Sequence, residues 1–169
     1  MIIRAERPED EREVAALIDA AFDDTETSAF TAKIRASDGY VPELTFVGEQ
    51  DEEIVGFTML SYVTIADRRI LTLTPMAVRP DRQRQGIGKA IVRAALAAAD
   101  ERGEPLILVE GVPAYYPQFG FRSASSLGIE RPHDRIPEAA WMALPLRAYD
   151  PEIRGRVDYP SFFPPPPGA

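Results

Sequence analysis

Apolar positions along the chain alternate between a period near two and a period near 3.6, and each change of period marks a boundary. Met1–Ala5 is apolar and β-branched and reads as a short strand. Pro8 and the acids behind it then open a helix in which Val14, Leu17, Ile18 and Ala21 recur at helical spacing. Asp23-Asp24 breaks it. A second helix runs from about Glu26 to Ser37 with Ala29, Phe30 and Ile34 on one side, closed by Asp38-Gly39. Leu44–Glu49 and Ile54–Ile65 are strands joined through Gln50–Glu53, a hairpin by composition, and Ile70–Val78 is a third. In that third strand Leu71 and Leu73 hold odd positions, Met76 and Val78 even ones, and Pro75 sits at the change. A one-residue slip reverses every side chain, so the pattern predicts a bulge at Thr74–Met76 that frees backbone groups of Met76–Val78.

Ile87, Ala90, Ile91, Ala94, Ala95 and Ala98 give a helix over 86–102 a narrow small-residue face, and Gly103 ends it. Leu106–Glu110 is apolar at nearly every position, as a buried strand should be, so 70–110 reads as a β-α-β unit with parallel strands. Between Val112 and Phe121 there is room for one short helix. Ser125–Glu130 and Trp141–Leu146 read as two further strands. From Ala148 the composition changes and ends in a proline run, so 160–169 is expected to be extended or disordered. No internal repeat is present.

With 169 residues the chain holds one domain with a full core. No stretch approaches the roughly 20 apolar residues of a membrane span, and the N-terminus lacks a signal-peptide layout, so no membrane partner and a cytoplasmic location are expected. Cysteine is absent and histidine occurs once, which removes disulfides, thiolate metal sites and a cysteine nucleophile and leaves no metal expected. The net charge of −8 opposes nucleic acid as a general partner.

Against that acidic background, residues 79–93 carry Arg79, Arg82, Arg84, Lys89 and Arg93 with the single acid Asp81. Gly86 and Gly88 lie inside this basic run, at the start of a helix whose unpaired N–H groups and positive dipole end face the loop. The combination is an anion site, most simply for a phosphate. A solvated basic helix face is the plainer alternative. Two familiar phosphate loops do not match. A P-loop needs glycine where Gln83 stands and a hydroxyl where Ala90 stands, and a dinucleotide fingerprint needs glycine where Ile91 stands and a tight turn where seven residues intervene.

Gln83-x-x-Gly86-x-Gly88, preceded by Thr74-Pro75-x-Ala77-Val78-x-Pro80 and followed by Tyr115-Tyr116-x-x-Phe119-Gly120-Phe121, resembles the acetyl-CoA-binding core of the GNAT superfamily of N-acetyltransferases. The run Pro75–Pro80 with Tyr115–Phe121 is similar to a bacterial subgroup of predicted acetyltransferases, although that subgroup commonly has an Asp where this chain has Val112. The resemblance implies a single-domain α/β fold over 1–147, with a mixed, mostly antiparallel central sheet, a parallel β-α-β unit and helices on both faces. Residues 148–169 would then be a proline-rich extension. It further implies that backbone N–H groups of Arg84, Gln85, Gly86, Ile87, Gly88 and Lys89, within the loop opened by Gln83, hold the CoA pyrophosphate. Arg82, Arg84 or Lys89 would meet its other phosphates, and Met76, Ala77 and Val78 would pair with the pantetheine.

The same resemblance implies direct transfer of the acetyl group from acetyl-CoA to a primary amine of a small molecule or peptide, without metal, in a chain able to form a homodimer. Tyr116 matches the family tyrosine that protonates the departing sulfur, and a phenol near pKa 10 is an acceptable acid towards a thiolate near 8.5. Tyr115 reads as packing. A lysine-like amine at pH 7 lies about 3.4 units below its pKa, a cost of about 4.6 kcal/mol, so such an acceptor needs a base. Glu110, alternating with Leu106 and Leu108, is the first candidate, and a carboxylate paired with an arginine or solvated is its plain reading. Asp23, Asp24 and Glu26 are lesser candidates, and His133 reads as a surface-loop residue. Acids crowding the N-terminal half, among them Glu9, Asp10, Asp23, Asp24, Glu49 and Glu53, would favour a cationic acceptor. The contrasting functions are a non-catalytic acyl-CoA-binding or sensing module and, more remotely, a nicotinamide-linked oxidoreductase.

Overall fold

Alternation and hairpin chemistry build the longest strands of the chain. In a computed structural model, which describes residues 1–164, β1 (Ile2–Ala5) is followed by the helices α1 (Glu11–Phe22) and α2 (Glu26–Arg35). Three long strands come next, β2 (Tyr40–Gln50), β3 (Glu53–Ile65) and β4 (Arg68–Val78), then α3 (Ile87–Glu101) and β5 (Leu106–Glu110). The short strands β6 (Arg122–Ser123) and β7 (Ile129–Glu130), β8 (Trp141–Pro145) and β9 (Gly155–Asp158) complete the set. The sheet order is β1-β2-β3-β4-β5-β8-β6, with β9 joined to β3 and β7 to β9. It is a mixed, mostly antiparallel sheet, in which β4·β5 and β7·β9 run parallel. The expected α/β class with a β-α-β unit is what the chain adopts.

Two units divide the chain: Met1–Ser61 with Thr74–Ala99, and Tyr62–Leu73 with Asp100 to the chain's end. In the first, Asp51 and Glu52 both take positive φ (54° and 64°), the conformation a two-residue hairpin needs, so β2 and β3 meet where composition placed the turn. α1 buries Val14, Leu17 and Ile18 as its spacing predicts, and ends at Asp23 in a left-handed conformation. α2 differs from expectation. Ala29 is exposed, and Thr31 with Ile34 forms the buried side, because the Thr31 hydroxyl is satisfied by the Thr27 carbonyl at 2.8 Å. Arg35 at its end pairs with Glu6 at 2.5 Å, a buried ion pair that ties α2 to the chain beyond β1.

α3 also packs on a different stripe from the alanine face expected. Ile87, Ile91, Val92, Ala95, Leu96 and Ala99 are buried, whereas Ala90, Ala94 and Ala98 lie at the flank, since larger side chains gain more from burial. Its close approach to the strands comes from glycines on the sheet. Gly48 and Gly56 are register partners, and a Cβ on Gly48 would lie 2.7 Å from Ile91 Cδ1 while one on Gly56 would lie 2.9 Å from Ile87 Cγ2. Ile87 and Ile91 join Val55 and Val78 in one apolar cluster, which fixes the start of α3 beside the end of β4.

In the second unit, Leu106 and Leu108 of β5 pack with Trp141, Ala143, Ile129, Ile153 and Val157. The strand expected over Ser125–Glu130 is instead a 3₁₀ turn at Ser125–Leu127 followed by the two-residue β7. Serine side chains compete with the ladder there: Ser126 Oγ donates to the Ser123 carbonyl at 2.6 Å, and Gly128 takes φ 76°. The change of composition at Ala148 is not a change of packing. Ile153 and Val157 are core residues, and β9 pairs with β3 through Thr64↔Asp158 and Ile65↔Val157. Pro160 to Phe163 forms a turn, the Phe163 N–H donating to the Pro160 carbonyl, and the expectation for 165–169 lies outside the described residues.

Candidate active site

β4 leaves its parallel partner early. Its register with β5 consists of Leu71↔Ile107 and Thr72↔Leu108, so Met76, Ala77 and Val78 run on beyond that ladder, past a cis Thr74–Pro75 peptide at the point where the apolar phase changes. Ala77 and Val78 are buried and Met76 is half-buried. The Gln83 amide donates to the Val78 carbonyl at 3.2 Å and folds the following loop back on the strand end. Arg84 (φ 61°) and Gly86 (φ 83°) then adopt left-handed conformations on either side of Gln85. Such alternation turns successive N–H groups towards one side, a concavity suited to an anion. The Gly86 carbonyl accepts the Ala90 N–H at 3.0 Å and so opens α3, which leaves the first-turn N–H groups of Ile87, Gly88 and Lys89 without partners inside the helix. Nothing lies within 4 Å of where a Cβ of Gly86 would stand, so its glycine serves backbone conformation and leaves the concavity open.

The basic cluster divides by partnership. Arg79 is held by Glu53 at 2.8 Å and Asp81 at 3.1 Å, and Arg82 lies 3.7 Å from the same aspartate. Among the described residues no ion pair engages Arg84, Lys89 or Arg93. Charge available to a phosphate therefore comes first from Arg84 and Lys89, with Arg82 a shared third.

Tyr116 and Glu110 belong to the second unit. Tyr116 starts a 3₁₀ turn that ends at Gly120 in the left-handed region, as the proline and glycine signals predict. Its ring lies against the backbone of Gly111: a Cβ there would stand 2.6 Å from Tyr116 Cδ2, and edge contacts to Tyr115 (5.2 Å) and Phe121 (5.5 Å) complete its seat. Tyr115 is therefore packing, as expected. Tyr116 is 7% exposed, and among the described residues no hydrogen bond reaches its hydroxyl, which is not one of the enclosed polar atoms. Burial, and secondarily the neighbouring Tyr115, pushes its phenol up to about 12, so it keeps its proton throughout the neutral range. Gly111→Ala should tilt this ring. We expect turnover to fall about 10- to 100-fold with acetyl-CoA affinity retained, and stability to drop by about 1–3 kcal/mol for the overpacking, measured by steady-state kinetics and denaturant melts. Unchanged turnover would mean that the seat of the ring is irrelevant to the chemistry.

Glu110 closes β5 in register with Trp141 of β8. Of its plain reading, the arginine pair does not occur among the described residues, while a solvated carboxylate agrees with its exposure. Desolvating surroundings raise the carboxyl above its ordinary range, and the imidazole of His133 opposes the rise. The residue as a whole is exposed. The lesser candidates have local duties: Asp23 ends α1, Asp24 accepts the Thr27 N–H at 2.9 Å, and Glu26 lies in the first turn of α2. His133 is not a plain surface residue. It is half-buried and its Nδ1 is enclosed without a hydrogen-bond partner. Sequence reasoning also passed over Gly111, whose signal was its place at the strand end five residues before the tyrosine. Among the described residues no group of carboxylates and imidazole is arranged for a metal, and no helix is long and apolar enough to cross a membrane.

The sequence pattern of an acetyltransferase (GNAT) domain matches residues 42–123. The uncharacterised N-acetyltransferase YhbS of Escherichia coli strain K12 is 29% identical over 128 residues, covering 74% of this chain and 75% of that protein. The crystal structure of Escherichia coli YhbS in complex with CoA superposes with a TM-score of 0.88 at 24% identity, over 96% of this chain and 91% of that one, a likeness of fold. A GNAT family acetyltransferase from Brucella melitensis, solved in complex with acetyl-CoA, superposes with a TM-score of 0.79 at 26% identity, over 96% and 97% of the two chains. Sequence pattern, relatives and fold agree with the glycine-opened helix beside a strand that outruns its ladder: over this core the chain is similar to acetyltransferases of the GNAT superfamily.

Proposed function

We propose that this chain is a GNAT acetyltransferase that moves the acetyl group of acetyl-CoA directly to a primary amine, with the loop 82–89 and strand end 76–78 as its nucleotide side. The observation that carries the reading is the concavity at Arg84–Lys89, with its left-handed residues, unpaired N–H groups and free cations. Those features fit a pyrophosphate, and relatives solved with CoA and acetyl-CoA support that identity. Acetyl-CoA supplies an activated acyl group and a thiolate leaving group.

The residues divide the remaining work. N–H groups from Arg84 to Lys89 receive the pyrophosphate, Arg84 and Lys89 add charge, and Met76–Val78 offer backbone bonds beyond the β4·β5 ladder. Glu110 takes the proton that an ammonium must lose before its nitrogen attacks the acyl carbon. As the C–N bond forms and the C–S bond breaks, the Tyr116 hydroxyl donates towards the sulfur. A phenol at about 12 facing a thiolate of ordinary pKa about 8.5 makes full transfer uphill by about 3.5 units, or about 4.8 kcal/mol. The matched acidity expected from sequence therefore changes: Tyr116 acts first as a hydrogen-bond donor to developing charge, and its proton moves late.

The case for a cationic acceptor is reduced by ion pairing. Asp10 and Glu49 both hold Arg4, at 2.6 and 2.7 Å, Glu53 holds Arg79, and Asp24 accepts the Thr27 N–H. Primary amine is the class that stays supported. A non-catalytic acyl-CoA-binding module is not favoured, since the matching domain pattern and the relatives are those of acetyltransferases. The test is thiol release from acetyl-CoA across a panel of polyamines, aminoglycosides, amino acids and peptide N-termini. At least one should raise thiol release well above the hydrolytic background with one acetyl found per thiol. Tight CoA binding without release for any class would turn the reading towards a binding module.

A further inference from the structure

Pro75 stands where the apolar phase of β4 changes, and its ring leaves the strand without an N–H at that point, so the backbone there offers a neighbour only the Pro75 carbonyl. That carbonyl accepts the Thr58 hydroxyl of β3 at 3.3 Å. Thr58 is fully buried, in register with Phe46 of β2, and follows Gly56 on the strand face where Ile87 and Ile91 of α3 pack. Water does not compete for the bond, and the β-branched side chain has few rotamers to visit.

The direction of this bond fixes the peptide that follows. The Pro75–Met76 peptide is trans, so its C=O and N–H point opposite ways. β4 has β3 on one side and β5 on the other. With the carbonyl turned to Thr58, the Met76 N–H points away from β3, on the side of β4 where the last rung with β5 is Thr72↔Leu108. Further along, the Arg79 N–H donates to the Val55 carbonyl at 3.0 Å and the Gln83 amide to the Val78 carbonyl at 3.2 Å, so the Met76–Val78 segment is tied at both ends.

We propose that Thr58 is a positioning residue for the acetyl transfer: by holding the Pro75 carbonyl it aims the Met76 N–H at the thioester oxygen of acetyl-CoA. The assignment rests on the reading of strand end 76–78 as the place of the pantetheine. When the amine attacks the acyl carbon, the C–N bond forms and the carbonyl π pair moves onto oxygen. The pair returns as the C–S bond breaks, the sulfur leaves as thiolate, and the proton of the amine goes to Glu110. A donor directed at that oxygen strengthens as the negative charge grows, so its aim matters more in the transition state than in binding. Thr58 itself touches no reacting atom and acts through one peptide plane.

Thr58→Val keeps the shape of the side chain and removes the hydroxyl, whereas Thr58→Ser keeps the hydroxyl. With the fastest amine of the panel, Thr58→Val should lower kcat about 10- to 100-fold while KM for acetyl-CoA stays within about two-fold of wild type, and Thr58→Ser should retain most of the rate. A hydroxyl that serves stability alone would leave kcat of the folded Thr58→Val protein unchanged, and that result overturns the proposal. Infrared difference spectra of bound acetyl-CoA, isotopically labelled at the acetyl carbonyl carbon, read the aim without any amine. In the wild type the thioester band should lie at lower wavenumber than in the free ligand, and in Thr58→Val it should move back towards the free value. Coincident bands in wild type and variant overturn the aim. Circular dichroism checks folding, and if Thr58→Val does not fold, Thr58→Ala, which also lacks the hydroxyl, carries the same two comparisons. If no amine releases thiol, the transfer reading falls, whereas the labelled band still decides whether Thr58 directs the donor.

Discussion

Gly88→Val should abolish the stabilisation that acetyl-CoA confers while leaving the free protein as stable as before. The expectation follows from the place of Gly88 in the first turn of α3, where its N–H has no helical partner and its backbone is helical. Glycine in a helix costs about 1 kcal/mol relative to alanine and valine about 0.6, so the substitution is neutral or slightly favourable for the free chain. Its branched side chain, however, stands over the N–H groups that an anion would approach. At a ligand concentration of about 100 Kd, binding contributes about 2.7 kcal/mol, which for a chain of this length corresponds to a melting shift of roughly 5–10 °C. That shift should vanish in the variant. Gly86→Val is a poorer test, because φ 83° forces strain on a β-branched residue whether or not a ligand is bound. A full wild-type shift in folded Gly88→Val protein would move the nucleotide site away from this loop.

How far the fold was legible depended on whether the cause lay close in sequence. The α1 stripe, the hairpin at Asp51-Glu52 and the opening of α3 by Gly86 are local events, and their residues state them directly. β9 is not local. Ile153 and Val157 are separated by arginine and glycine, and only the neighbouring strands β3 and β7 make Gly155–Asp158 a strand. The α3 face was misread because six small or branched residues fit two overlapping stripes, and the choice was made by Gly48 and Gly56 on strands about 30 to 50 residues away. At the candidate site the same distinction holds. The anion loop and Tyr116 carry motifs. Gly111 does not: its reason is a ring five residues on.

The largest kinetic effect is expected at Tyr116. Replacement by phenylalanine keeps the ring in its seat against Gly111, Tyr115 and Phe121 and removes one hydroxyl that no group among the described residues hydrogen-bonds. Stability should therefore change by less than about 0.5 kcal/mol, since no buried partner is orphaned. Turnover should fall about 10²- to 10⁴-fold with acetyl-CoA affinity nearly unchanged, the signature of an interaction made in the transition state alone. The pH profile adds a sign. An acid must be protonated to act, and burial pushes the Tyr116 phenol up to about 12, so the wild-type rate should show no decline attributable to it between pH 7 and about 11. The same shift makes the folded state's advantage complete below the ordinary phenol pKa of about 10 and progressively lost as pH climbs through 12. A variant that loses turnover uniformly across this range, at constant melting temperature, identifies the hydroxyl as a donor to the leaving sulfur. Tyr116→Phe with wild-type turnover would reduce the residue to packing and shift the search for the donor to another proton source.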